Sequence, residues 1–184
     1  MQQSSKAGLF IDGAHLYASA KSIGLDLDYK RLLGLFDAHA TLVRAQFYIA
    51  IAEDDVNSGV RPLANWLDYN GYTVITKAAA PFTDATGRRK IKGSLAVKLT
   101  VDALELSPYI DHAVLVAGDA EFAPLVRALQ RRGKYVTIVS TLVSAPAMIT
   151  DDLRRLADQF IDLADLQARL SRNPLDREIK RARA

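Results

Sequence analysis

The sequence predicts an α/β domain, a three-layer sandwich in which helices cover both faces of a central, mostly parallel sheet. Three observations carry this. Short apolar runs alternate with helical periods along the chain. The runs are almost continuously Val, Ile, Leu and Phe, as strands buried on both faces require. No second hydrophobic block follows, and 184 residues with 49% apolar and 24% charged content suit one globular unit.

Taken in order, Gly8-Leu9-Phe10-Ile11 is the first strand. Asp28 is an N-cap for a helix over Tyr29 to Phe36, because its short carboxylate can accept from the exposed first-turn N–H groups. Val43 to Ala50 forms the second strand, and Leu63, Trp66 and Leu67 recur at i, i+3, i+4 as the apolar stripe of the next helix. Tyr72 to Thr76 is the third strand. It leads into the one long connection, Lys77 to Lys92 (KAAAPFTDATGRRKIK), a length that is uncommon inside a compact domain and often functional. Leu95, Leu99, Ala103 and Leu106 form the stripe of a helix for which Ser94 is the expected cap. Ala113 to Val116 is the fourth strand. Leu125, Val126 and Leu129 line a further helix, which Gly133 ends after Arg131-Arg132. Tyr135 to Val139 is a fifth strand, and Phe160 to Leu163 a weaker sixth.

Composition removes several chemistries. With no Cys, disulfides, thiolate metal sites and cysteine nucleophiles are excluded. No apolar run approaches the roughly 20 residues of a membrane span, and no secretory signal is visible before Asp12, so a cytoplasmic protein is expected. The net charge of +3 resides in residues 171–184, which hold five Lys/Arg against two Asp/Glu; the rest of the chain is neutral. Such a tail attracts phosphate without sequence preference.

In an open α/β sheet, ligands bind outside the carboxyl ends of the strands, so polar residues that end strands are informative. Asp12 ends the first strand (Leu9-Phe10-Ile11-Asp12-Gly13), and Asp119 ends the fourth (Val116-Ala117-Gly118-Asp119), with Glu121 two residues on. Each Asp could be no more than a helix cap or turn former. Two of them on neighbouring strands would instead repel unless a cation lay between them. Oxygen donors of this kind suit Mg²⁺ or Mn²⁺, which hydrolyse phosphodiesters by polarising the phosphoryl oxygen and activating water. A P-loop is absent, no G-x-G-x-x-G fingerprint follows the first strand, Asp12-Gly13-Ala14 lacks the second Asp of a nucleophile-and-acid D-x-D pair, and His15, His39 and His112 have no metal-ligand spacing.

Three stretches, Phe10-Ile11-Asp12-Gly13-Ala14-His15-Leu16-Tyr17, Lys92 to Asp102 (KGSLAVKLTVD) and Ala117-Gly118-Asp119-Ala120-Glu121-Phe122, resemble the signature segments of NYN domains. The likeness is to the LabA-like branch of the PIN-like nuclease superfamily. It covers residues 7–165, leaving 166–184 as a C-terminal helix and basic tail. The resemblance implies a PIN-like sheet sandwich with an acidic Mg²⁺ or Mn²⁺ pocket and ribonuclease chemistry on single-stranded or structured RNA, and it allows a homodimer. Carried over position by position, Asp12, Asp119 and Glu121 would hold the ion. Asp102 matches a further helix acid, either paired with Lys98 or supporting the ligands from behind.

The pattern also departs from the family. His15 stands where I-D-G-x-N-L-Y has Asn, Glu121 where S-G-D-x-D-F has its second Asp, and Ala96 where the middle helix usually carries Asp. Asp102 lies about 120° around the helix from Ala96 and is no direct replacement. His15, Arg88, Arg89, Lys90, Lys92 and Ser94 are expected at substrate, the cations beside a helix N-terminus suiting phosphate. Tyr17, Phe82 and Tyr48 are the aromatics that could stack on bases, with Tyr48 expected in the core. Two readings stay open: a metal-dependent ribonuclease, or a catalytically impaired NYN domain that binds RNA or a protein.

Overall fold

A computed structural model describes residues 5–52, 59–83, 89–92 and 95–172. Six strands, β1 (Lys6–Asp12), β2 (Thr41–Ala52), β3 (Thr73–Thr83), β5 (His112–Val116), β6 (Tyr135–Ser140) and β7 (Gln159–Asp162), run parallel to their neighbours. A seventh, β4 (Arg89–Lys92), lies antiparallel on β3. The order is β4-β3-β2-β1-β5-β6-β7. The expected α/β sandwich is the observed architecture, and every apolar run read as a strand is one.

Side-chain alternation along each strand splits the core into two layers. Leu9, Ile11, Phe47, Val114 and Val116 face α1 (Gly13–Ser22), α2 (Tyr29–Asp37) and Leu67 of α3 (Val60–Tyr69). Phe10, Tyr48, Leu115 and Ile138 face α4 (Ala96–Leu106), α5 (Ala123–Arg131) and α6 (Asp151–Leu156). The caps behave as their chemistry requires. Asp28 accepts from the N–H groups of Lys30 and Arg31, at 2.9 and 3.2 Å. Gly133 takes φ +70°, which lets its N–H reach Gln130 and that of Lys134 reach Leu129, closing α5 in a Schellman turn.

Three expectations are revised. The connection Lys77–Lys92 is for the most part a β-ribbon, because β3 runs on to Thr83 and pairs with β4 from Ala80↔Lys92 to Thr83↔Arg89. Residues 84–88, Arg88 among them, lie outside the described residues. Helix α4 starts at Ala96 with Leu95 in the cap position and no side-chain cap bond; Ser94 lies outside the described residues. Trp66 belongs to the apolar stripe by spacing yet stays 39% exposed, since Leu67 fills the core and the indole instead lies 5.8 Å from the ammonium of Lys30. Beyond the sheet, α7 (Gln167–Leu170) buries Leu170 in the α1–α2 layer, and Arg172 N–H donates to Asp26 at 3.0 Å. The tail from 173 lies outside the described residues.

Asp28→Ala removes the acceptor for two first-turn donors of α2. It should lower stability by about 1 kcal/mol in urea unfolding, while Asp28→Asn, still a capping residue, should lose much less.

Candidate functional site

Asp12 and Asp119 lie at the same, carboxyl-terminal edge of the sheet. Strands β1 and β5 are neighbours, with Ile11 opposite Val116, so Asp12 ends one strand and Asp119 follows the other by three residues. The strand order also reverses here: β2 and β3 extend the sheet to one side of β1, and β5, β6 and β7 to the other. That reversal leaves the crevice in which open α/β sheets bind ligands.

Both aspartates are helix caps as well. The Oδ1 of Asp12 accepts from the N–H groups of Ala14 (3.0 Å) and His15 (3.2 Å), and the Oδ1 of Asp119 accepts from Glu121 N–H (3.0 Å). The cap and ligand readings therefore fall on the same residues, and the cap fixes each carboxylate at the lip. Glu121 sits exposed on the short 3-10 turn Ala120–Phe122. Among the described residues, no three Asp, Glu or His side chains converge closely enough to hold a metal by themselves.

His15 joins the two acid-bearing segments. Its Nε2 lies 3.0 Å from Ser140 Oγ and 3.3 Å from Ser19 Oγ, and its ring presses on Gly118, where an added Cβ would stand 2.4 Å from Cε1. The same Cβ would meet the Met148 carbonyl oxygen at 1.9 Å, so only glycine fits at position 118. The Nε2 side of the ring thus faces Ser140 and Ser19 within the protein. Burial pulls the imidazole below its ordinary 6.5, against an opposing pull from Asp12 and then Asp119. Both carboxylates are near enough to act on it, yet the neutral ring prevails.

Asp102 is buried at 7% exposure, accepting from Tyr48 O–H at 2.9 Å and from Lys98 Nζ. Of the two roles open to it, the pairing with Lys98 is observed, and it raises the Lys98 ammonium above its usual range. Tyr48 stands opposite Asp12 on β2, so this network braces the strand beside the acid pair. Burial, then the bond to Asp102, pushes the phenol well above its ordinary value and keeps it a donor.

The basic segment lies across the sheet. Ile75 is level with Asp12 through Tyr48, and Lys92 pairs with Ala80, five residues further along β3. Arg89, Lys90 and Lys92 therefore belong to a ribbon whose backbone rises past the carboxyl edge. Ser140 and Ser19, both against the His15 ring, are the residues that sequence reasoning misses here. The signal for Ser140 was present, since it is the first polar residue after the apolar run Val136 to Val139.

The NYN domain family matches residues 6–165. The chain belongs to the NYN family. NYN domains are PIN-like nucleases, ribonuclease-type in general. The low amplitude and bright protein LabA of Synechococcus elongatus is 29% identical over 168 residues, spanning 89% of this chain and 87% of that protein. An uncharacterised protein of Methanocaldococcus jannaschii is 33% identical over 90 residues, 48% of this chain but 35% of its own length. The fold is shared with a crystal structure of a protein of unknown function from Vibrio parahaemolyticus, with a TM-score of 0.72 at 24% identity, covering 89% and 95% of the two chains. No helix among the described residues of this NYN domain is long and apolar enough to cross a membrane.

Two outcomes follow from His15. Its proton is disfavoured in the fold, whereas the unfolded chain takes it up near pH 6.5. The stability contribution is therefore complete above that pH and is lost as pH falls below it. His112 has the same sign, so the part removed by His15→Asn in melts from pH 7.5 to 5 isolates His15. Gly118→Ala should cost about 1–3 kcal/mol or more, read by urea unfolding, because backbone must move to admit the methyl group.

Proposed function

We propose that this NYN domain hydrolyses RNA phosphodiesters with a divalent cation held between Asp12 and Asp119. The observation that carries the reading is the placement of these two carboxylates on adjacent parallel strands at the point where strand order reverses. Two carboxylates are a sufficient protein donor set for Mg²⁺ or Mn²⁺, which keep several waters and take further oxygens from substrate phosphate. Such an ion polarises the phosphoryl oxygen and lowers the pKa of a bound water.

The chain's own residues divide the remaining work. Asp12 and Asp119 fix the donors at the lip through their caps. Glu121, exposed on the turn after Asp119, would add a third carboxylate toward the ion. His15, neutral and bonded to Ser140, keeps the two strand ends in register. The Tyr48–Asp102–Lys98 network stiffens the neighbouring strand. Arg89, Lys90 and Lys92 belong to the ribbon and supply cations for the phosphate backbone; Arg88 and Ser94, adjoining them in sequence, are assigned to the same task.

Ala96 favours a second reading. No carboxylate comes from the first turn of α4, and Asp102 is already bonded to Tyr48 and Lys98. A domain that binds RNA without cutting it would show this arrangement.

Asn caps helices as well as Asp does, so Asp12→Asn and Asp119→Asn remove charge and keep the fold. Each should reduce Mn²⁺-dependent cleavage of a structured RNA by about 100-fold or more, because even the partners behind metal ligands are worth 10- to 100-fold. Mn²⁺ at about 100 times its Kd should stabilise the wild type by about 2.7 kcal/mol in thermal melts and leave the double Asn variant unmoved. RNA bound without cleavage, together with cleavage gained in Ala96→Asp, would establish the second reading.

A further inference from the structure

Helix α1 starts at Asp12 and leads away from the acid edge. Its outward side carries Ala14, Tyr17 and Lys21, all exposed, while Leu16, Ser19 and Ala20 are buried. Tyr17 is 64% exposed, a large ring left in solvent beside the site, and the Lys21 ammonium lies 6.0 Å from its centroid. These two residues form one wall of a cavity of about 540 Å³, whose other walls include Asp26, Tyr29, Leu63 and Arg172. Burial keeps the Tyr29 hydroxyl protonated, above its ordinary phenol value, and its electrostatic neighbours are Arg172 and then Tyr17.

We propose that this cavity is a nucleotide subsite in which a base of single-stranded RNA stacks on Tyr17 while Lys21 holds its phosphate, the Arg172 guanidinium being turned to Asp26 and the Leu27 carbonyl. Every base offers a π-face, so a ring with cations beside it takes a nucleotide without reading sequence. The size falls within that of ordinary ligand pockets, and Leu63 supplies an apolar wall. Tyr17 lies five residues past Asp12, about 7.5 Å along the helix axis, so one strand can touch both. The aromatic–cation pairing then repeats at Trp66 and Lys30, Lys30 following Tyr29 in sequence and Trp66 lying one turn from Leu63. An acidic peptide would engage the cations but has no use for an exposed ring repeated in this way. The inference rests on the nuclease reading for its substrate and adds where the strand runs.

Binding of a fluorescently labelled single-stranded decaribonucleotide to the full chain carrying Asp119→Asn tests it by anisotropy. Tyr17→Ala should weaken binding about tenfold, and Tyr17→Phe should restore it, since stacking needs the ring and not the hydroxyl. Lys21→Gln should reduce the slope of log K against log salt by about 0.7, the loss of one phosphate contact to a single strand. Tyr17→Ala binding within about twofold of its parent, while wild-type protein cleaves RNA, overturns the subsite and leaves the nuclease standing. Binding lost in Tyr17→Ala with no cleavage by wild type keeps the subsite and removes the nuclease. An oligonucleotide that does not bind at all overturns both.

Discussion

The contact between the His15 ring and the Gly118 backbone sets the geometry of the acid edge. A methyl group at 118 would stand 2.4 Å from the imidazole and 1.9 Å from the Met148 carbonyl oxygen. The strand end at β5, the start of α1 and the chain leading into α6 can therefore come together only where a side chain is missing. With the ring in place, Nε2 meets Ser140 at the end of β6. Three segments that depart from the sheet are tied at one point, and the two aspartates flank it. Interiors packed at this density transmit displacement instead of absorbing it, so the separation of the acids is a property of this wedge.

Around the wedge the polar groups fall into two kinds. Asp102, Tyr48 and Lys98 bond to one another, so a buried carboxylate is stabilised by one donor on each oxygen. Asp12 and Asp119 use Oδ1 on backbone N–H groups at the rim, where solvent and ligand can reach them. The capping bonds orient a charge without neutralising it. That difference separates an acid bonded inside the fold from two acids that cap helices at its rim.

Much of the architecture was legible in advance, and the reason is local. Strands covered on both faces must be continuously apolar, so Leu9 to Ile11 and Val114 to Val116 announce themselves. Caps such as Asp28 and the stop at Gly133 depend on a few adjacent residues. Trp66 and the Lys77–Lys92 ribbon were not legible. A stripe does not say which of its members reaches the core, and pairing between β3 and β4 depends on how far β3 outruns its neighbour. Within the site, the two aspartates could be picked out because they interrupt apolar runs. The inward turn of His15 could not, because it depends on Ser140, 125 residues away.

The sequence alone determined that this chain is an α/β domain of the NYN kind, with carboxylates at two strand ends and a departure from the family pattern at Ala96. The fold class and the strand-end acids follow from periodicity, residue type and spacing, and the family from the resemblance of three short stretches, all of which a linear chain carries. Only the tertiary structure decided that the strands leading to Asp12 and Asp119 are adjacent at the reversal of strand order, that Asp102 is held by Tyr48, and that Tyr17 faces solvent beside a cavity lined by Arg172. Each of these depends on contacts between residues remote in sequence. Strand order and packing set such contacts, and no local pattern encodes them.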